Sequence, residues 1–125
     1  MTDLVFVYGT LLSGEANHHL LKGATFCGTH TTIPKFRMLH LGSYPGVVSN
    51  GSHAIHGEIY EIDKRILKQL DRLEDYPILY DRKRIQTPWG RTWIYLYLGE
   101  RDGYAVIPSG SWRGQSRQVG KFSLY

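Results

Sequence analysis

The chain has 125 residues, with 15 Lys and Arg against 11 Asp and Glu for a formal net charge of +4, and 42% of its residues are hydrophobic and 13% aromatic. That balance excludes a disordered polar chain and fits one domain built on a single core. A single cysteine, Cys27, excludes an internal disulfide and a cysteine-rich zinc site. No apolar run approaches the ~18–20 residues of a membrane span.

Met1-Thr2-Asp3-Leu4 lacks the basic flank of a secretory signal, so a cytoplasmic location is expected. Leu4 to Tyr8 is a β-prone apolar run ended by glycine, which predicts a buried central strand. Gly9 to Gly14 then turns the chain. Glu15 to Lys22 is expected to form a short helix closed by Gly23. Phe36 to Leu41 reads as a strand and Gly42-Ser43-Tyr44-Pro45-Gly46 as a loop. A second strand is expected over His53 to Ile62, with Asp63 capping a helix from Lys64 to about Asp75. Pro77 disfavours helical geometry in the residue before it, so the helix must stop there.

Tyr80 to Thr87 and Arg91 to Leu98 predict a hairpin around Pro88-Trp89-Gly90, and Gly103 to Ile107 a last short strand. The Gly-, Ser- and Arg-rich tail from Ser109 reads as loop, loosely ordered from about residue 113. Two or three short helices are too few to cover both faces of a sheet. The expected class is therefore α+β, a single domain over residues 1–125 whose mixed sheet curls into a small β-barrel.

The +4 charge mildly favours anionic partners, and Arg82-Lys83-Arg84 is the densest basic run. Strand alternation divides those three between two faces, so no continuous basic strip forms. A charge-guarded edge strand is the reading preferred over nucleic-acid binding. His53 and His56 fall on opposite faces of their strand, and His18 and His19 diverge by about 100° on their short helix, so no metal site is expected. No glycine-rich phosphate-loop pattern is present, and no nucleotide cofactor is expected.

The second helix carries the sharpest chemical signal. At ~100° per residue from Leu67, Leu70, Ile66 and Leu73 fall at about −60°, −100° and −120°. Glu74 falls at about −20°, inside that apolar arc, whereas Asp71 and Asp75 fall on the wet side. A carboxylate drawn into apolar surroundings has its pKa raised toward the range useful for acid and base work. Two plainer readings stand beside this one: the helix ends before Glu74, or Glu74 pairs with a nearby arginine. The Tyr8-Gly9-Thr10 junction is a second signal, because successive free amides can cradle an anion. On these residues alone a simple glycine turn is the stronger reading.

Val5-Phe6-Val7-Tyr8-Gly9-Thr10-Leu11, with Gly14 and Asn17, resembles the opening of the γ-glutamylcyclotransferase-like proteins. The resemblance continues through Ser43-Tyr44-Pro45-Gly46, His56-Gly57-Glu58-Ile59-Tyr60 and Leu70 to Pro77 with Tyr80 and Arg82. Ile107, Ser109-Gly110 and Trp112 extend it to the close of the short bacterial members, a subgroup similar to the γ-glutamylamine cyclotransferases. It implies a small mixed β-barrel fold and cyclisation of a γ-glutamyl amine or γ-glutamyl amino acid to 5-oxoproline, without metal or cofactor. It implies further that Glu74 is the catalytic carboxylate and that Tyr8, Gly9, Thr10 and Leu11 bind the γ-glutamyl part. Asn17, Tyr44 and Tyr80 would line or brace the pocket. Leu12 departs from the basic or polar residue that many relatives carry there.

Fold does not dictate activity. A non-catalytic module that binds a small molecule in the same pocket is the alternative function. The leaving amine and the oligomeric state are open at this level, since loops build the pocket walls and no heptad repeat marks an interface.

Overall fold

In the computed structural model, which describes residues 2–115, the apolar run before Tyr8 forms β1 (Thr2–Val7). A 3₁₀ turn spans His18–Leu21, followed by β2 (Thr25–Thr31), β3 (Phe36–His40) and β4 (Pro45–Ser49). The chain continues through β5 (His56–Asp63), α1 (Lys64–Leu73), β6 (Tyr80–Thr87), β7 (Gly90–Tyr97) and β8 (Ala105–Val106). None of these helices is long and apolar enough to cross a membrane.

Strand β1 is the middle of a five-stranded sheet ordered β2-β5-β1-β7-β6. It runs antiparallel to β5 and parallel to β7, so the sheet is mixed. With neighbours on both edges and both faces covered, Val5, Phe6 and Val7 are buried. The second sheet, β4-β3-β8, is antiparallel and packs through β4 against β7. Gly46 permits that approach, because a Cβ there would lie 2.9 Å from Tyr97 Cβ.

The mixed α+β class holds, but the sheet does not close into the expected barrel. Strands β2 and β6 are its two edges and share no ladder. The sheet curls far enough that the Trp89 ring, at the β6–β7 turn, covers Gly28 of β2, where a Cβ would meet it at 2.7 Å. Beyond that contact, β6 presents Asp81, Arg82, Lys83 and Arg84, and such a charged edge resists pairing. Lys83 pairs with Asp81, while Arg82 and Arg84 both lie over the Trp93 ring, the face division that alternation predicts.

The helices also differ in part. Glu15 to Asn17 is a series of turns, and only His18–Leu21 is helical, because the Asn17 amide bonds back to the Thr10 carbonyl at 2.8 Å. The expected loop over residues 42–46 ends early, with Pro45 and Gly46 opening β4; proline is tolerated as a first strand residue. Strand β2 had no sequence signal, since its burial pattern shows no apolar alternation. The loop after β8 is anchored by Trp112, which is fully buried against His40. The tail beyond Gln115 lies outside the described residues.

Helix α1 begins where predicted. Asp63 Oδ1 accepts from the Ile66 amide at 2.8 Å and so satisfies one first-turn donor. Ile66, Leu67 and Leu70 are buried, and α1 packs against β1, β5 and the His18–Leu21 turn. Leu73 ends the helix, and Glu74 is its C-cap, with its amide still bonded to the Leu70 carbonyl at 3.0 Å. The helical phase therefore carries through Glu74 before Asp75 turns the chain at φ 50°.

Candidate active site

Tyr8, Gly9, Thr10, Leu11, Asn17, Tyr44, Glu74 and Tyr80 line one cavity of about 330 Å³. These positions come from the end of β1, the turn after it, the β3–β4 loop, the end of α1 and the start of β6. The sheet gathers them because the C-terminal end of β1 and the C-terminus of α1 open on the same side.

The turn after β1 is held by its own backbone. The Leu12 amide donates to the Gly9 carbonyl at 3.0 Å, and Asn17 braces Thr10 through Nδ2 to Oγ1 at 3.0 Å. Among the described residues, none accepts a hydrogen bond from the main-chain amides of Gly9, Thr10 or Leu11. Gly9 has a packing reason for its identity, since a Cβ would sit 2.7 Å from Pro45 Cγ. The glycine thus lets the β3–β4 loop close over the turn, while three successive amides stay available to an anionic or carbonyl oxygen.

Glu74 faces this turn region across the cavity. Among the described residues no side chain pairs with its carboxylate; the arginine in reach of this helix, Arg82, bonds Asp71 instead. Burial among Leu73, Leu79 and the cavity tyrosines pushes its pKa up to about 7. Part of its surface remains accessible because it borders the cavity. The group is therefore desolvated yet reachable by a ligand, and poised to hold or release a proton near neutrality.

The tyrosines are fixed rather than free. Tyr8 donates to the Tyr95 carbonyl at 2.7 Å and Tyr80 to the Pro45 carbonyl at 2.8 Å. Burial, with Glu74 nearby, raises the Tyr8 phenol well above its usual value; burial does the same to Tyr80. Both remain neutral donors, so Glu74 is the ionisable group that can exchange protons here. Tyr44 is 39% exposed at the cavity mouth.

Asp71 is not on the wet side, as helical phase alone would place it. Its carboxylate accepts from Arg82 Nε at 2.9 Å, Arg82 Nη2 at 3.1 Å and the Tyr95 hydroxyl at 2.7 Å. Tyr95, a cavity residue, carried no individual signal in the sequence. Among the described residues no group of three or more His, Cys, Asp or Glu could hold a metal ion.

The family described as gamma-glutamyl cyclotransferase, AIG2-like, matches residues 5–114. The chain belongs to that family. A Vibrio cholerae serotype O1 relative is 46% identical over 112 residues, covering 90% of this chain and 96% of its own. The gamma-glutamylcyclotransferase family protein YtfP of Escherichia coli K12 is 40% identical over 108 residues, 86% of this chain and 94% of that one. The crystal structure of an AIG2-like protein from Mus musculus superposes with a TM-score of 0.78 at 27% identity, covering 89% of this chain and 88% of that one. In this gamma-glutamyl cyclotransferase-like chain the family match runs from β1 to the buried Trp112 segment, and so includes every element that borders the cavity.

Proposed function

We propose that this protein cyclises the γ-glutamyl group of a γ-glutamyl amine or γ-glutamyl amino acid, yielding 5-oxoproline and the free amine. The observation that carries the reading is a desolvated Glu74 sharing a cavity with the Gly9–Leu11 amides, neither of them bonded to a partner among the described residues.

The substrate contains both reactants. Glu74 as carboxylate takes a proton from the substrate's α-ammonium, freeing the nitrogen to attack the γ-carbonyl carbon. A C–N bond forms and closes the five-membered ring. The bond from the γ-carbon to the departing nitrogen then breaks: Glu74 gives that nitrogen the proton taken first and relays to it the one the ring nitrogen sheds, so the amine leaves as its ammonium and Glu74 ends as the carboxylate. Charge and atoms balance without a redox partner. The amides of Gly9, Thr10 and Leu11 hold the γ-glutamyl part in the bent geometry that attack requires. Holding two reacting groups at near-attack distance supplies much of the rate gain of such reactions. A carboxylic acid near neutral pKa supplies the remaining proton transfers.

Assaying 5-oxoproline release from a panel of γ-glutamyl amines and γ-glutamyl dipeptides tests the reading. Turnover of at least one member is expected. Saturable binding of the panel with no product would replace it by the small-molecule binding module.

A further inference from the structure

Glu74 is the C-cap just past the last residue of α1, where a helix end frays unless something fixes it. Among the described residues its carboxylate has no partner, so its placement is set by its neighbours. One turn earlier, Asp71 is tied to two different strands. Arg82 from β6 donates to both Asp71 oxygens, and Tyr95 from β7 donates its hydroxyl to Oδ1. The Asp71 side chain is only 19% exposed, so these contacts are shielded from water. Arg82 is itself held between two rings, 4.5 Å from the Tyr76 centroid and 4.3 Å from that of Trp93.

Tyr95 also reaches the other half of the site. Its carbonyl accepts the Tyr8 hydroxyl at 2.7 Å, and Tyr8 is the residue ahead of Gly9. A continuous chain of short hydrogen bonds thus runs from α1 through Asp71 and Tyr95 to Tyr8 and the amide turn. We propose that Asp71 is a positioning residue that, through Tyr95 and Arg82, fixes Glu74 relative to the Gly9–Leu11 turn. The inference rests on the cyclotransferase reading for its catalytic consequence, though the geometry stands without it.

A two-part experiment tests this, with Asp71→Asn and Tyr95→Phe compared singly and together. Tyr95→Phe keeps the ring in the cavity wall and changes no charge, which guards against a variant that fails for lack of folding. The first readout is the titration of the Glu74 carboxyl, followed by carbon NMR in the folded protein. Among the described residues, Tyr8, Tyr80 and Tyr95 feel its charge and are held neutral by burial, and Tyr44 shares the cavity. Both variants should move the Glu74 midpoint down from about 7 toward the ordinary carboxylate range as the helix end loosens into water. The second readout is turnover, where kcat should fall by about tenfold or more with KM changed little, since a displacement near 1 Å can cost about a hundredfold. The double variant should lose no more than the worse single one. An unmoved Glu74 titration in Tyr95→Phe overturns the proposal, as do additive losses in kcat. Absence of 5-oxoproline from the parent protein would sink the activity alone, and the titration would still decide the positioning.

Discussion

The Tyr8 hydroxyl and the Tyr95 carbonyl lie 2.7 Å apart, joining two strands that run parallel in the sheet. The bond is buried and crosses between the residue that opens the amide turn and the strand behind the cavity. It therefore stiffens the turn without using any of the turn's own amides.

Tyr8→Phe removes that donor and keeps the ring. A lost buried hydrogen bond typically costs about 1 kcal/mol, more where the remaining partner stays desolvated. Urea unfolding should show a loss of about 1–2 kcal/mol, with weaker substrate binding beside it. Unchanged stability would mean that the Tyr95 carbonyl is satisfied in some other way.

Gly9→Ala should be more damaging than a glycine-to-alanine change in an ordinary turn. The new Cβ would meet Pro45 Cγ and Cδ at 2.7 and 2.8 Å, and a proline ring cannot swing aside. Pro45 also supplies the carbonyl that Tyr80 bonds, so the displacement passes into the cavity wall. A stability loss of about 1–3 kcal/mol is expected from such overpacking, with a raised KM. A wild-type melting temperature would contradict the packing reason given for this glycine.

The capping bond from the Ile66 amide to Asp63 makes a narrower prediction. Asp63→Ala should cost about 1 kcal/mol in unfolding free energy. The Glu74 end of α1 is anchored separately through Asp71, so kcat should stay near wild type. A large kcat loss would mean that the helix moves as a rigid unit.

Glu74 lends the protein a pH signature. Burial raises its folded pKa to about 7, against a carboxylate's ordinary 4.5. Between those values the folded state binds more protons than the unfolded one, so this group makes stability fall as pH rises through that window. Above pH ~7 the ionised carboxylate carries a penalty of up to about 3 kcal/mol. Glu74→Gln, neutral at every pH, should therefore be more stable than the parent at pH 8 and close to it at pH 4.5. Chemical denaturation at the two pH values reads this directly, and equal stabilities at pH 8 would contradict the desolvated carboxylate.

The elements legible in the sequence were those whose signals are local. The Asp63 cap, the apolar face of α1 and the Tyr80–Thr87 arm of the hairpin rest on propensity and period, and each stands where predicted. Glu74 was legible for the same reason, since its inward angle is a property of its own helix. Helical phase alone misplaces Asp71 because its partners, Arg82 and Tyr95, come from strands 11 and 24 residues away, and phase counts only its own helix. Strand β2 was invisible because it is a largely exposed edge whose pairing with β5 defines it. The sequence predicts a barrel where the sheet is open because the curl is real while closure depends on edge register, which no local pattern encodes. The Gly9–Leu11 turn needed the family resemblance, since a glycine turn alone does not reveal which amides stay unbonded.

The central claim is that Glu74 moves the protons in cyclisation. Its most direct test is the single-turnover rate of 5-oxoproline formation by the parent protein and by Glu74→Gln, measured at saturating substrate on a γ-glutamyl compound that the parent turns over. Glutamine keeps the shape of the side chain and abolishes its proton exchange. A fall of about 10²–10⁴ in rate with substrate binding retained is predicted, the range ordinarily lost with a general acid–base group. A Glu74→Gln protein as fast as its parent would contradict the account.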